Sequence, residues 1–435
     1  MSRLHGVGQY KSDVKALLQP CYLASTMTRK PSKAFLFAKE RRSKKRRNIS
    51  RPGGIGKLSK NDLINILSRL TAKTILTCCS VCKSWRTLIS DPEFANRHFE
   101  RDHDQEEVVL RPDGPGSLSR TLILIDLDRL KPYAQFSLPL NDQLPFSGIE
   151  VVNSCNGLLY LSSYLDKNPV LVCNPITREY INIPATHTDH QQERLQAVAS
   201  GLGFSLKSNQ YKLLRIFDVG YGHGFDNLRS HGRQAEIYTL GKGSWRVIDQ
   251  FPPRIPHSFL LGTYLKGTIS WACANDINDK FDFIISFNFD KEQFEFVSLP
   301  PYSAANHKGI SDLRMQGLGG CISVCDFSCA EYFDIWLLKD FGGKKKIWSK
   351  DYRIHMLHGK VHQPIRILNN EEILMIQGLN AMVSYNHLRM KLRRHKICGI
   401  QSHFGASIHI PSFVSLKDIV GGDEVEVLIV KVKCM

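Results

Sequence analysis

The sequence predicts a small all-α module followed by an all-β domain of β-propeller type, with a disordered basic N-terminal tail before both. Three observations predict this arrangement. Apolar residues recur with helical spacing over residues 57–95, strand-like runs recur about every fifty residues over 105–435, and positive charge is concentrated in the first 57 residues. We therefore divide the chain into the tail (1–56), the helical module (57–100) and the β domain (105–435).

The basic character of the chain belongs to its tail. Residues 1–57 hold 15 Lys and Arg against 2 Asp and Glu, whereas the other 378 residues hold 43 against 39. The net charge of +17 for all 435 residues therefore says little about the folded part. Since a folded nucleic-acid-binding domain usually carries a basic face of its own, we expect the folded part not to bind nucleic acid.

The sequence favours a location in the nucleus, the cytoplasm or both. No stretch reaches the ~18 apolar residues of a membrane span, so we expect no membrane partner. Charged residues such as Arg3, Lys11 and Lys15 interrupt the N-terminus where a signal peptide would have its apolar core. The 12 cysteines are scattered, which is typical of reduced thiols rather than of a disulfide framework.

The tail contains a candidate nuclear import signal. Its dense cluster follows Arg29 and Lys30 after a spacer, and the cluster consists of Lys39, Arg41, Arg42, Lys44, Lys45, Arg46 and Arg47. Two basic clusters separated in this way indicate a bipartite signal. The alternatives are a solvated basic arm without a specific reader and, ranked last, a transit peptide.

The helical module is predicted from the apolar set Leu63, Ile66, Leu67 and Leu70, which falls at i, i+3, i+4 and i+7. We expect Asn61 or Asp62 to cap this first helix. A second apolar set follows, and Pro92 is expected to end a pair or trio of helices. A core of about forty residues is marginal by itself, so its spare apolar face should be covered by a neighbour or a partner.

Two stretches of this module carry a family resemblance. Residues 58–70 (LSKNDLINILSRL) and 81–92 (VCKSWRTLISDP) resemble the F-box motif in the form found in plant F-box proteins. The resemblance implies docking to a Skp-type adaptor, which links the protein to a cullin-based ubiquitin ligase. It also implies that a docking surface and its supporting core are formed by Leu58, Leu63, Ile66, Leu67, Leu70, Ile75, Leu76, Val81 and Trp85.

The chain departs from the family pattern at two positions. Ser59 and Thr71 stand where the family usually has proline, a residue that suits the first turn of a helix. We expect their presence to loosen the helix starts and to weaken adaptor binding. The alternative to docking is that the module is only a helical core belonging to the downstream domain.

The β domain is predicted from a recurring pair of apolar runs separated by a polar turn. The repeat is aligned on one residue in each first run, and these residues are Ile125, Leu171, Tyr238, Phe287, Trp336 and Val383. Successive spacings are 46, 67, 49, 49 and 47 residues, and the long one contains the polar segment 186–194, which we interpret as an insertion. A period near fifty in an all-β region is typical of propeller blades. The alternative is a β-sandwich array.

The resemblance extends through this domain. Residues 154–159 (SCNGLL), 173–179 (CNPITRE), 243–246 (GSWR) and 334–340 (DIWLLKD) resemble the F-box-associated domain of plant F-box proteins, whereas the kelch-like pattern is weaker. This resemblance implies a substrate-binding β-propeller. We expect the C-terminal segment 425–430 to complete a blade begun by the N-terminal strands, which would close the ring.

No cofactor or catalytic centre is expected. Cys78, Cys79 and Cys82 lack further ligands at zinc-finger spacing, so we interpret them as core residues, and the glycine-rich run 220–224 lacks a phosphate-loop lysine. The sequence therefore predicts a non-catalytic adaptor that holds a protein substrate, with contacts on loops such as 186–194 and 218–232. Two rivals are a propeller enzyme of the galactose-oxidase type and a basic nuclear protein whose tail contacts nucleic acid. Neither explains the helical module.

Overall fold

The computed structural model describes most of the chain after residue 57. The described residues are 58–101, 106–112, 120–127, 129–138, 149–163, 168–184, 197–219, 232–248, 258–259, 262–274, 281–301, 313–339, 346–356, 362–368, 371–378, 380–397, 400, 403–421, 425–427 and 429–430. The predicted tail and its import signal lie outside them. Residues 58–435 form one compact unit.

The described part begins with four helices. They are α1 (Lys60–Leu67), α2 (Ala72–Cys78), α3 (Lys83–Ile89) and α4 (Pro92–Arg101). The expectation that Pro92 ends the helical run is wrong, because Pro92 is the first residue of α4. Proline is well tolerated there, since the first helical N–H has no partner within the helix in any case.

The helix starts at Ser59 and Thr71 are capped rather than loose, which corrects a second expectation. Ser59 precedes α1, and its hydroxyl accepts from the backbone N–H of Asp62 while the Asp62 carboxylate accepts from Ser59. Thr71 caps α2 by accepting from the N–H of Thr74. Their φ angles of −64° and −62° are values that proline adopts, so both residues keep a proline-like backbone and add a hydroxyl cap. Neither Asn61 nor Asp62 is the cap itself.

The strands, numbered in chain order, form six antiparallel sheets arranged as blades. Blade 1 contains β1 (Glu107–Pro112), β2 (Thr121–Asp126), β3 (Lys131–Ser137), β25 (Phe404–His409) and β27 (Ile429–Val430). Blade 2 contains β4 (Ile149–Cys155), β5 (Leu158–Ser163), β6 (Pro169–Asn174), β7 (Glu179–Asn182) and β26 (Glu426–Val427). Blade 3 contains β8 (Ala197–Ser205), β9 (Gln210–Val219), β10 (Gly232–Thr239) and β11 (Trp245–Ile248).

The other three blades follow in order. Blade 4 contains β12 (Ser258–Phe259), β13 (Thr263–Leu265), β14 (Thr268–Ala274), β15 (Phe281–Asn288) and β16 (Gln293–Val297). Blade 5 contains β17 (Leu313–Leu318), β18 (Cys321–Asp326), β19 (Tyr332–Lys339) and β20 (Ile347–His355). Blade 6 contains β21 (His362–Ile367), β22 (Ile373–Gln377), β23 (Ala381–Asn386) and β24 (Lys391–His395).

The six-bladed propeller confirms the predicted repeat. All six residues on which the repeat was aligned, from Ile125 to Val383, lie in the third strand of a blade. These strands sit between two others of the same sheet, and apolar clusters fill the spaces between blades. The β-sandwich alternative is therefore wrong.

Ring closure differs from the prediction. The strand that completes blade 1 is β25, which pairs with β1 over six residues from Glu107↔His409 to Pro112↔Phe404. Segment 425–430 instead supplies two short outer strands. Of these, β26 pairs with β7 of blade 2 and β27 pairs with β3 of blade 1. Closure therefore uses an inner strand, and the later segment covers two outer blade edges.

The propeller has two unlike faces. Consecutive strands of a blade are antiparallel, so the turn from its first to its second strand and the turn from its third to its fourth strand lie at the same face. We call this face the hairpin face. These turns contain two to seven residues. The opposite face, called the loop face, carries the remaining connections, and four of them contain 11 to 15 residues: 138–148, 183–196, 220–231 and 298–312.

One turn type recurs on the hairpin face. Third strands end in an Asp or Asn whose side-chain oxygen accepts backbone N–H groups of the following turn, and this residue is Asp126, Asn174, Asn288 or Asn386. Four residues later the chain adopts a positive φ, at Leu130, Arg178, Glu292 or Met390. Such side-chain caps fix a four-residue hairpin and hence the register of the outer strand.

A C-terminal strap, residues 410–421, crosses the hairpin face. The buried amide of Asn174 donates to the carbonyls of Ser412 (2.9 Å) and Val414 (2.8 Å). Glu179 accepts from the N–H of Leu416, the first residue of helix α5 (Leu416–Val420). Gly157, at φ +88°, lies so close to the strap that an added Cβ would be 2.0 Å from Cβ of Ser412. The strap is thus tied to blade 2 by polar contacts and close packing.

Replacing the helix caps should destabilise the protein. We expect Ser59→Ala and Thr71→Ala each to lower the free energy of unfolding by about 1 kcal/mol, because each leaves a helix N–H unpaired. Denaturant unfolding would measure this. Ser84→Ala, at an exposed position of α3, is the matched control and should change little. Equal effects of all three substitutions would contradict the capping role.

Asn174→Ala should lower the free energy of unfolding more than the equivalent substitution, Asn288→Ala, in the turn of blade 4. It removes two bonds to the strap as well as the turn cap, so we expect a loss of about 2–3 kcal/mol in the free energy of unfolding. Asn288→Ala removes an equivalent cap to Asp290 and Lys291 without touching the strap, and about 1 kcal/mol is expected. Equilibrium unfolding of both variants compares them, and similar losses would show that the strap bonds contribute nothing.

His409 should make stability depend on pH. It ends β25, is fully buried and lies 3.2 Å (Nδ1) from the Ser154 hydroxyl, and burial lowers its pKa to about 3. In the unfolded chain the imidazole of His409 takes up a proton near pH 6.5, whereas in the folded protein it stays neutral to a lower pH. The free energy of unfolding is therefore highest above pH 6.5 and falls as the pH decreases below it. Between about pH 7.5 and about pH 5.5, the free energy of unfolding should decrease by about 1 kcal/mol more in wild type than in His409→Gln. Identical pH profiles in unfolding experiments would contradict this assignment.

Candidate functional site

The four helices are held together by a few polar contacts that cross the module. The Lys60 ammonium lies 2.7 Å from the Asp91 carboxylate and joins the start of α1 to the residue before α4. The Arg101 guanidinium at the end of α4 donates to the carbonyl of Asn65 (3.0 Å) and to the Ser68 hydroxyl (2.8 Å) on α1. Helix α4 is therefore tied to α1 at both ends.

The ion pair between Lys60 and Asp91 shifts both pKa values in the direction that favours charge. The hydrogen bond from Lys60 lowers the pKa of Asp91, and the hydrogen bond to Asp91 raises the pKa of Lys60. Because the pair is exposed to solvent, water screens it and its contribution to stability is small.

The inner face of the module belongs to a core that it shares with the propeller. Ile64, Leu67, Ile75, Leu88 and Phe94 are buried with apolar side chains of blades 1 and 2. From the strap, Phe413 also joins this core. Burial of this kind supplies the stability that about forty helical residues could not reach alone.

Contacts on the hairpin face fix the module in place. The Lys73 ammonium of α2 lies 2.7 Å from the Asp126 carboxylate, at the turn of blade 1. From the strap, the Phe413 ring packs edge-on against Phe94 (centroids 5.8 Å apart) and His98 (5.1 Å). His98 also contacts the carbonyl of Leu70 through Nε2 at 3.2 Å, and burial lowers its pKa. A neutral imidazole in this position keeps the seam between module and propeller apolar.

The nine residues that the resemblance assigned to docking and its supporting core fall into three groups. Leu67 and Ile75 are buried in the shared core. Leu63, Leu70, Leu76 and Trp85 are half-buried and pack against that core. Leu58, Ile66 and Val81 are exposed, at 39%, 49% and 62% of their full surface. The structure thus separates residues that hold the module together from three that face solvent, which spacing alone could not do.

Ile66 shows this separation most clearly. Helix α1 buries Ile64, Leu67 and the following Ser68 on one side and exposes the other side to solvent. The exposed side is polar at Asp62 and Asn65, and Ile66 is the apolar residue among them. A single exposed aliphatic side chain is common on protein surfaces and does not by itself mark a binding site, so Ile66 is considered below together with Leu58 and Val81.

The prediction that the cysteines of the module are packing residues holds for Cys78 and Cys79 and is wrong for Cys82, which is exposed. Cys78 and Cys79 lie against the shared core, and burial raises the pKa of both thiols. A raised pKa disfavours the thiolate that metals bind. Within the residues that the structure describes, no group of three or more His, Cys, Asp or Glu side chains is placed to hold a metal ion.

Several residues that build the site have weak signals in the sequence. His98 and Arg101 are polar residues of α4, the helix that the expected stop at Pro92 excluded, and Asp91 directly precedes it. Phe413 lies more than three hundred residues from the helices that it contacts. A helix starting at Pro92, with Glu93 in its first turn and Arg101 at its end, is the signal that could have identified α4.

The predicted substrate loops lie outside the described residues, apart from strand ends at 218–219 and 232. The described strands that flank both segments end at the loop face. The helical module packs on the hairpin face, so these strand ends and the module are on opposite faces of the ring. Among the helices that the structure describes, none is long and apolar enough to cross a membrane.

Comparisons with known proteins agree with this architecture. A family model described as the F-box associated beta propeller domain matches residues 118–406, and a second one, described as F-box-like, matches residues 63–101. Among solved structures, TolB from Acinetobacter baumannii aligns over 70% of this chain and 66% of that chain, with 10% identity and a TM-score of 0.36, a likeness too low to indicate a function.

Three proteins of Arabidopsis thaliana illustrate the sequence relationship. F-box protein At3g07870 is 23% identical over 82% of this chain and 91% of that protein. F-box protein CPR1 is 27% identical over 67% and 72%, and F-box/kelch-repeat protein At3g17530 is 30% identical over 69% and 75%. With both family models matched in the order that the structure shows, the chain belongs to the plant F-box proteins that carry an F-box-associated β-propeller domain.

Proposed function

We propose that this protein is the substrate-recognition subunit of a Skp–cullin–F-box ubiquitin ligase. The helical module docks to the Skp-type adaptor, and the propeller binds a protein substrate. Membership of the F-box family supports the general role of an adaptor. The partner contacts and the substrate are the parts that we infer from the geometry.

The observation that carries the proposal is the exposure of Leu58, Ile66 and Val81 on a module whose inner face is already covered. Ile66 lies on α1, Leu58 lies two residues before it, and Val81 lies between α2 and α3. One exposed aliphatic residue would need no explanation, whereas three on a module of about forty residues favour a surface that binds a protein partner. These three side chains are therefore our candidates for direct contact with the adaptor.

The mechanism is proximity and needs no catalytic group in this chain. Binding of the substrate to the propeller raises the effective concentration of its lysines near the activated ubiquitin, which other subunits hold. This effect requires that the docking module and the substrate site keep a defined separation. The shared core and the Lys73–Asp126 ion pair hold the module to the ring in that way.

We place the substrate on the loop face. The four longest connections, including those that contain the predicted contact segments 186–194 and 218–232, all lie there. Variable connections on a rigid scaffold are where binding residues are usually found. We also propose that the protein acts in the nucleus or the cytoplasm, with the basic cluster from Lys39 to Arg47 as the import signal.

The docking surface can be tested without unfolding the module. We expect Ile66→Asp combined with Val81→Asp to weaken binding to a purified Skp-type adaptor at least about tenfold, since it places two charges in an apolar interface. Calorimetry or co-precipitation of the full chain would measure this. Leu67→Asp is unsuitable because Leu67 is buried, and its substitution would disrupt the core.

The matched control is Leu206→Asp, which changes an exposed leucine in a hairpin of blade 3 and should leave adaptor binding intact. Thermal unfolding of both variants would show that each remains folded. The proposal fails if wild type binds no Skp-type adaptor, or if the double variant binds as tightly as wild type.

A further inference from the structure

The outer strand of blade 6 carries an unusual concentration of positive charge. Strand β24 and the residues beside it contain five cations within eight positions and no acidic residue: Arg389, Lys391, Arg393, Arg394 and Lys396. All five side chains are exposed. In the described part of the chain, none of the five forms an ion pair.

The outer strands of blades 3, 4 and 5 differ in this respect. On β11, Arg246 is paired with Glu292. On β16, Glu295 is paired with Lys346 at 3.2 Å, and on β20, Arg353 is paired with Asp334 at 2.7 Å. Charges on these edges are therefore balanced by the protein itself, whereas those on β24 are not. Unbalanced positive charge on one edge favours binding of an anionic partner.

Strand β24 is also an open edge. It pairs with β23 alone among the described strands, whereas the outer strands of blades 1 and 2 are covered by β27 and β26. An open edge presents backbone N–H and C=O groups that an added extended segment can pair with. The hairpin that leads into β24 adds exposed apolar side chains at Leu388 (77%) and Met390 (64%).

The placement of the cations suits an extended peptide. Side chains of a strand alternate between its two faces, so Lys391 and Arg393 share one face while Arg394 lies on the other. An added strand has the same alternation and can bring a carboxylate opposite a cation on either face. A nucleic acid could use the charges, but it could not continue the sheet by pairing regularly with both the N–H and the C=O groups of the edge.

We propose that the β24 edge of blade 6 binds an extended acidic segment of a partner protein, which adds as a further strand and pairs its carboxylates with Arg393, Arg394 and their neighbours. This surface is separate from the helical module and does not depend on adaptor docking. Cations on an open edge also prevent aggregation, but that role needs only one or two charges and no specific ligand.

The test measures binding of a fluorescent peptide of about ten residues, built from Glu-Glu-Thr-Thr repeats so that both faces of the added strand carry carboxylates, to the full-length protein. We expect saturable binding that weakens at least about tenfold in the variant Arg393→Glu/Arg394→Glu. Lys207→Glu/Lys242→Glu makes the same change in net charge at exposed sites on blade 3 and should bind like wild type. The basic tail is present in all three proteins, so it cannot account for a difference between them.

Hydrogen exchange locates the contact and completes the test. With the Glu–Thr peptide bound, backbone amides of residues 388–396 should exchange more slowly, as strand addition requires. The proposal is overturned if protection appears only in residues 1–57, if both charge variants lose affinity equally, or if wild type shows no saturable binding. It is also overturned if an oligothymidine of equal length competes through β24 while the peptide does not bind there.

Discussion

The structure depends on a single apolar seam between the four helices and the first two blades. Ile64, Leu67, Ile75 and Phe94 contribute to it from the helices, and Phe413 contributes from the strap. Neither side could bury these surfaces alone, because the module is too small to enclose a core and the hairpin face would expose apolar residues to water. The seam thus joins the helical module and the ring into one body, and it leaves the outer side of the module exposed to solvent.

This constraint divides the tasks of the molecule between opposite faces. The hairpin face has short turns fixed by Asn174 and its equivalents, which provide a regular platform for the helices and the strap. The loop face has connections of very different lengths, where sequence can change without disturbing the ring. Because the two faces are separate, residues of one can change without disturbing the other.

Local periodicity predicted the blades, but it could not predict contacts between residues that are far apart in the sequence. The repeat aligned on Ile125 and its equivalents identified third strands because these are buried on both faces and form strong apolar runs. Helical spacing found α1 but could not tell Ile66 from Leu67, since the side that the propeller covers is decided by tertiary packing. The pairing of β25 with β1 joins segments almost three hundred residues apart, and no local pattern marks it.

The position of β25 has a consequence for how the protein is made. Helices α1–α4 leave the ribosome before every blade, yet Phe413, which completes their cover, is synthesised long after them. Blade 1 likewise lacks its inner strand until residues 404–409 have emerged. During translation the nascent chain therefore keeps part of the apolar side of its first module exposed until these C-terminal residues are made, and we expect chaperones to shield it until the ring can close behind it.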